Sequence, residues 1–179
     1  MTRIRAAVLT VSDRSFLGER EDLSGPLLKE LAHKLGAEVV SCGVVPDEQP
    51  QIEAALLDLT DGQHVDLILT TGGTGPALRD VTPEATRAVI EREMPGLAEW
   101  MRLEGARRFT PFAALSRGVA GIRGRTLIIN LPGSPRAVDE NMSIVGPLLP
   151  AAIALLKGEA PPDGIHDPSW TARYGEGKA

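Results

Sequence analysis

Three glycines and a threonine, Gly72-Gly73-Thr74-Gly75, stand five residues ahead of Asp80. Glycine admits backbone angles closed to other residues and lets a ligand approach the main chain closely. Successive N–H groups in such a turn can form a nest for an anion, so the cluster reads as a phosphate site. Taken alone, such a cluster is more often a tight turn with no ligand. Two familiar phosphate loops are excluded. A P-loop requires Lys and then Ser or Thr after its last glycine, and Gly75 is followed by Pro76-Ala77. The dinucleotide fingerprint requires a third glycine three residues after the second, and that position is Leu78.

The elements on either side would position this turn. Val65, Leu67, Ile68 and Leu69 form a short apolar run without helical period, as in a parallel strand buried on both faces. Thr82-Pro83-Glu84 has the order of a helix start, with Thr82 as N-cap and Pro83 at the first helical position. Strand, glycine turn, carboxylate and helix thus follow one another, and in open α/β sheets ligands bind beyond the carboxyl ends of strands. Asp47 follows another strand-like run, residues 37–45 (AEVVSCGVV), which we place beside the glycine turn. It is well placed to cap the helix carrying Ile52, Ala55, Leu56 and Leu59.

The rest of the chain alternates in the same way. Residues 4–11 read as the first strand, and 12–26 as a long polar connection into a helix opened by Ser24-Gly25-Pro26, with Ser24 or a neighbour as cap. Helices are expected over about 84–94, 97–108, 136–145 and 147–157, with a hairpin of 117–123 and 126–131 turning at Gly124-Arg125. Leu97, Trp100 and Met101 read as core or subunit interface. Residues 159–179 lack apolar periodicity and read as a loose tail, leaving one domain over 1–158. Six arginines between 102 and 125 face one acid, Glu104, as either a solvated surface or a dock for an anionic substrate. The turn Pro132-Gly133-Ser134-Pro135 could form the wall opposite Gly72–Gly75, with Ser134 free to bond a phosphate or ribose.

Composition narrows the class. The chain has 179 residues, 42% of them hydrophobic and 24% charged, which suits one globular domain. A net charge of −5 and an aromatic content of 3% argue against a nucleic-acid binder. No apolar run approaches the ~20 residues of a membrane span, and the N-terminus does not resemble a signal peptide. Cys42 is the only cysteine, so no intrachain disulfide forms; a reducing cytoplasm and a buried thiol are expected. His33, His64 and His166 are too scattered to make a metal site.

Two runs carry a resemblance. Thr70-Thr71-Gly72-Gly73-Thr74-Gly75-Pro76 with Arg79-Asp80-Val81-Thr82-Pro83-Glu84-Ala85-Thr86, and the later Asn130-Leu131-Pro132-Gly133-Ser134-Pro135, resemble the two signatures of the molybdopterin adenylyltransferase family. The similarity runs from about Ile4 to Gly158. It implies a three-layer α/β sandwich with a mainly parallel sheet, the molybdopterin-binding fold, commonly as a homotrimer. It implies transfer of AMP from ATP to the terminal phosphate of molybdopterin, with release of pyrophosphate. Asp47 and Asp80 match the family's two functional aspartates; beside a phosphate nest they would repel a triphosphate unless they hold Mg²⁺. On the same ground Gly72, Gly73, Thr74, Gly75 and Ser134 are assigned to the nucleotide, and Asp13, Ser24, Gly25 and Arg117 to the pterin. A downstream metal-insertion protein is the implied partner. The rival is a non-catalytic pterin carrier or scaffold of the same fold.

Overall fold

The computed structural model describes residues 3–160. In chain order these form β1 (Ile4–Val11), α1 (Asp13–Phe16), α2 (Ser24–Lys34), β2 (Ala37–Val45), α3 (Gln49–Leu57), β3 (Leu67–Thr71), α4 (Thr82–Val89), β4 (Arg92–Glu93), α5 (Pro95–Arg108), β5 (Ala120–Arg123), β6 (Thr126–Leu131), α6 (Pro135–Val145) and α7 (Leu149–Lys157). The six strands form one sheet in the order β2-β1-β3-β6-β5-β4. The first four are parallel; β5 is antiparallel to β6, and β4 is antiparallel to β5.

Burial follows the period-two geometry of strands. Leu67 and Leu69 of β3, with Leu127, Ile129 and Leu131 of β6, face one layer of helices built on α2, α5, α6 and α7. Ile68 and Ile128, between them, face α3 and α4. Both faces are covered, so the strand sequences are apolar throughout and the fold is the expected three-layer sandwich. Each fully buried Leu or Ile contributes roughly 1.5–3 kcal/mol relative to exposure. Leu97 and Met101 of α5 are core, with Trp100 packed against it.

The strand order fixes where a ligand can bind. From β1 the chain moves outward to β2, then returns past β1 to β3. Adjacent strands β1 and β3 therefore lead away in opposite directions, and a crevice opens beyond their carboxyl ends.

Several expectations are corrected. Asp47 does not leave a strand adjacent to the glycine turn, because β1 lies between β2 and β3. Since β2 is an edge strand, Cys42 is exposed and not buried. The helix expected over 84–94 ends at Val89. Ile90 is extended, and Arg92–Glu93 pair with Ile122 and Gly121 of β5. Within the 12–26 connection, Ser12 caps the short α1 by accepting from the Ser15 N–H. The expected hairpin is present as β5 and β6. Beyond Ala160, the tail lies outside the described residues. Among the described residues, no helix is long and apolar enough to cross a membrane.

Candidate functional site

The Gly72–Gly75 turn sits at the end of β3, and four successive carbonyls are held from one side. Thr82 Oγ1 donates to the Gly72 carbonyl (2.9 Å), and the Thr82 N–H to that of Gly73 (3.1 Å). The Arg117 N–H donates to Thr74 (2.8 Å), and Arg117 Nε to Gly75 (2.8 Å). In a trans peptide the C=O and the following N–H point in opposite directions. The N–H groups of Gly73, Thr74 and Gly75 are therefore aimed away from Thr82 and Arg117. None of them donates to an acceptor among the described residues. Three consecutive free donors, with φ of +103° at Gly72 and +62° at Gly73, make the nest that the glycine spacing anticipates.

Thr82 was expected to cap α4. Its hydroxyl instead donates back into the turn, and no side chain caps the helix. The second glycine turn lies against the first: a Cβ on Gly133 would stand 3.2 Å from the Gly72 Cα. Thr71 Oγ1 donates to the Pro132 carbonyl (2.7 Å) and Ser24 Oγ to that of Gly133 (2.8 Å), tying β3 and α2 to this second turn. Ser134 caps α6, accepting from the Ala137 N–H (3.3 Å).

Asp47 and Asp80 stand at opposite ends of the nest. Asp47 Oδ1 lies 3.2 Å from where a Gly73 Cβ would be, and Asp80 Oδ2 lies 2.8 Å from the same point on Gly75. The helix-cap reading of Asp47 is overturned: Glu48 is the N-cap residue of α3, and no side chain bonds there. Asp47 Oδ2 accepts from the Asp13 N–H instead. Asp80 Oδ2 accepts from the Ala77 N–H (2.9 Å).

Electrostatics separates the carboxylates. Burial pushes the Asp47 carboxyl above its ordinary value, and the charges of Asp13 and Asp80 push the same way. Its bond from the Asp13 amide and the charge of Arg79 only partly offset them. Burial works to raise Asp13 too, but the Asp47 amide and Arg79 outweigh it and hold Asp13 below the ordinary range. Arg79 pairs with Asp13 and with Glu48, each at 2.8 Å, a role that the sequence did not reveal.

Two cavities meet at the turn. One, of about 610 Å³, lies in the β1/β3 crevice and is lined by Asp13, Ser24, Asp47, Gly72 and Asp80 among others. The other, of about 400 Å³, lies on the far side of the turn. Its walls include Thr74, Gly75, Met101, Arg102, Phe112 and Asn141. Gly73, Asp80, Gly133 and Ser134 line both. The expected nucleotide residues are thus brought together. The expected pterin residues are not. Asp13 and Ser24 share the crevice with Asp47. Gly25 lies beneath it, where a Cβ would meet Asp22 Oδ2 at 2.4 Å, and Arg117 lines neither cavity. The other arginines do not form one patch: Arg123 pairs with Asp61, Arg107 with Glu104, and Arg102 Nη1 donates to the Gly118 carbonyl (3.0 Å).

The donor set fits a divalent cation of the magnesium type. Among the described residues no group of three His, Cys, Asp or Glu could hold a metal; an ion at the turn would rest on Asp47 and Asp80 together with oxygens of its ligand. Mg²⁺ is commonly held by one or two carboxylates plus substrate phosphates, and Asp47, raised first by burial and then by the charges of Asp13 and Asp80, is a carboxyl that a nearby cation would favour as the anion.

Residues 7–151 match the family described as "Probable molybdopterin binding domain". The molybdopterin adenylyltransferase of Helicobacter pylori J99 is 43% identical over 160 residues, covering 88% of this chain and 90% of the relative. The molybdenum cofactor synthesis protein cinnamon of Drosophila melanogaster is 46% identical over 157 residues, which is 87% of this chain and 26% of that relative. The crystal structure of the molybdopterin biosynthesis enzyme MoaB from Thermus thermophilus has a TM-score of 0.83 at 52% identity, covering 89% of this chain and 99% of its own. With the family match spanning nearly all of the described fold, the chain belongs to the molybdopterin-binding domain family of molybdenum cofactor biosynthesis.

Proposed function

We propose that the chain is a molybdopterin adenylyltransferase, a nucleotidyltransferase that moves AMP from ATP to the terminal phosphate of molybdopterin. The observation that carries this reading is the glycine turn between the two cavities, whose three free N–H donors stand between Asp47, on the crevice side, and Asp80, on the wall common to both. ATP would occupy the crevice beside Asp47, with its phosphates reaching the nest at the shared wall of Gly73 and Asp80. Molybdopterin would enter the second cavity, where Met101 and Phe112 offer apolar surface and Asn141 a polar group for the flat pterin. This replaces the pterin set expected from the resemblance. Asp13 and Ser24 then act as supports for Asp47 and Gly133, and Gly25 allows close packing at Asp22.

In the reaction an oxygen of the molybdopterin phosphate forms a bond to the α-phosphorus of ATP. The bond from that phosphorus to the bridging oxygen breaks, and pyrophosphate leaves with the electron pair. A phosphate is already a nucleophile, so the protein need supply little beyond position and charge. The nest would orient the phosphates, and Ser134 at the shared wall could hold the nucleotide from the opposite side. Asp47 and Asp80 would hold Mg²⁺, which when bound neutralises the triphosphate. We extend the reading to a cytoplasmic homotrimer that passes its product to a metal-insertion protein.

The test is pyrophosphate release on incubation with ATP, Mg²⁺ and molybdopterin together. Release that requires all three supports an enzyme. Binding of both substrates without release would favour a carrier or scaffold.

A further inference from the structure

We infer that Arg117 is a positioning residue for the phosphate nest and not a ligand of the pterin. The inference rests on the nest reading and assigns the residue that keeps the nest in shape. Arg117 sits just before β5, yet its bonds run to the glycine turn and α4. Its backbone N–H holds the Thr74 carbonyl, and its Nε holds that of Gly75. Nη1 donates to Glu84 Oε1; Nη2 donates to the Asp80 carbonyl and, at 3.4 Å, to Glu84 Oε2. Four of the five guanidinium N–H donors are therefore engaged by protein acceptors, leaving no fork free for a phosphate.

Those acceptors span the functional segment. Gly75 ends the nest and Asp80 carries one of the two carboxylates, so one planar group fixes both at once. Burial works to raise the Glu84 carboxyl, but the bond from Arg117, its own backbone amide and the charges of Arg117 and Arg87 together outweigh it, so Glu84 is a charged anchor on α4. Glu84 lines neither cavity, and its effect on the site passes through Arg117. Lysine keeps the charge but has one ammonium in place of the fork, and it cannot bond the Gly75 and Asp80 carbonyls and Glu84 in this plane.

The experiment is calorimetric titration of ATP, with Mg²⁺ present, and separately of molybdopterin, into wild type, R117K and E84Q. Both variants are expected to weaken ATP binding on the order of tenfold, the scale of one lost charge-assisted bond. Molybdopterin affinity is expected to fall by no more than ATP affinity, since Thr74 and Gly75 also line the second cavity. If R117K weakens molybdopterin tenfold and leaves ATP unchanged, Arg117 is a pterin ligand and the inference is overturned. It is equally overturned if both variants melt earlier but bind ATP as wild type does, since the clasp is then only structural. Should R117K not fold, E84Q decides by the same ATP criterion. A wild-type protein that binds no ATP would overturn the nest reading as well. Normal wild-type binding with unimpaired variants would overturn this inference alone.

Discussion

Asp13 and Asp47 exchange backbone bonds: the Asp13 N–H donates to Asp47 Oδ2 at 2.8 Å, and the Asp47 N–H donates to Asp13 Oδ1 at 2.9 Å. The pair joins the segments beyond β1 and β2, and it carries Asp47 across the intervening strand to the glycine turn. Only Asp13 meets a direct guanidinium partner, Arg79. Asp47 is left as the less stable anion, the state in which a carboxylate benefits most from a bound cation.

Replacing Asp47 by Asn tests that state. The amide oxygen can still accept from the Asp13 N–H, so apo Asp47→Asn should melt at or above the wild-type temperature. Turnover should fall on the order of 10²–10³-fold, as on loss of one preorganised electrostatic contact. Turnover within about threefold of wild type would remove Asp47 from the mechanism.

The same residue sets a pH dependence. Its folded pKa lies above the ordinary 3.8, so the folded state holds the proton more tightly than the unfolded one. Its contribution to stability is fully present below 3.8 and is lost as pH rises through the folded pKa. Wild type and Asp47→Asn should therefore converge in acid, with the variant gaining as pH rises. Asp13 has the opposite sign. Its pKa is lowered, so its contribution is present above 3.8 and is lost as pH falls through the folded value. Asp13→Asn should cost stability at neutral pH and little in acid. Melting curves across pH 3–7 check both signs.

Gly73→Ala should damage the nest. Its φ is +62°, and a Cβ would stand 2.3 Å from Thr82 Oγ1 and 3.2 Å from Asp47 Oδ1. Strain of about 1–3 kcal/mol and a loss of ATP binding are expected. Gly124→Ala is the control. Its φ is +55° at the β5–β6 hairpin, but a Cβ there meets nothing within 4 Å. It should lose about 1–2 kcal/mol and bind ATP normally. Denaturant melts and ATP isotherms separate the two outcomes.

What could be read in the sequence divides along physical lines. The sandwich was legible because Leu67 to Leu69 and Leu127 to Ile129 are apolar at every position, which only a doubly covered strand requires. Strand order was not legible, since pairing is a tertiary choice. That is why Cys42 was expected in the core and β2 beside the turn. Two-residue β4 carries charged side chains without alternation, so nothing marked Arg92 and Glu93 as a strand. In the site, glycines and aspartates were legible because their types are chemically restrictive. The bonds of Thr82 and Arg117 to the turn were not legible because their principal partners there are backbone carbonyls, which leave no trace in residue types.

Metal removal probes the aspartate pair directly. If Asp47 and Asp80 act through Mg²⁺, EDTA should weaken ATP binding sharply in wild type and far less in the Asp47→Asn, Asp80→Asn double variant. Isotherms with and without chelator check this, and equal wild-type affinities would exclude the metal role.

The central claim is tested most directly by following the two ends of ATP in one reaction. With Mg²⁺ and molybdopterin present, label on the α-phosphorus should appear on molybdopterin as an adenylyl group, while label on the γ-phosphorus appears in pyrophosphate in equal amount. Saturable binding of both substrates with α-label remaining in ATP would contradict the account.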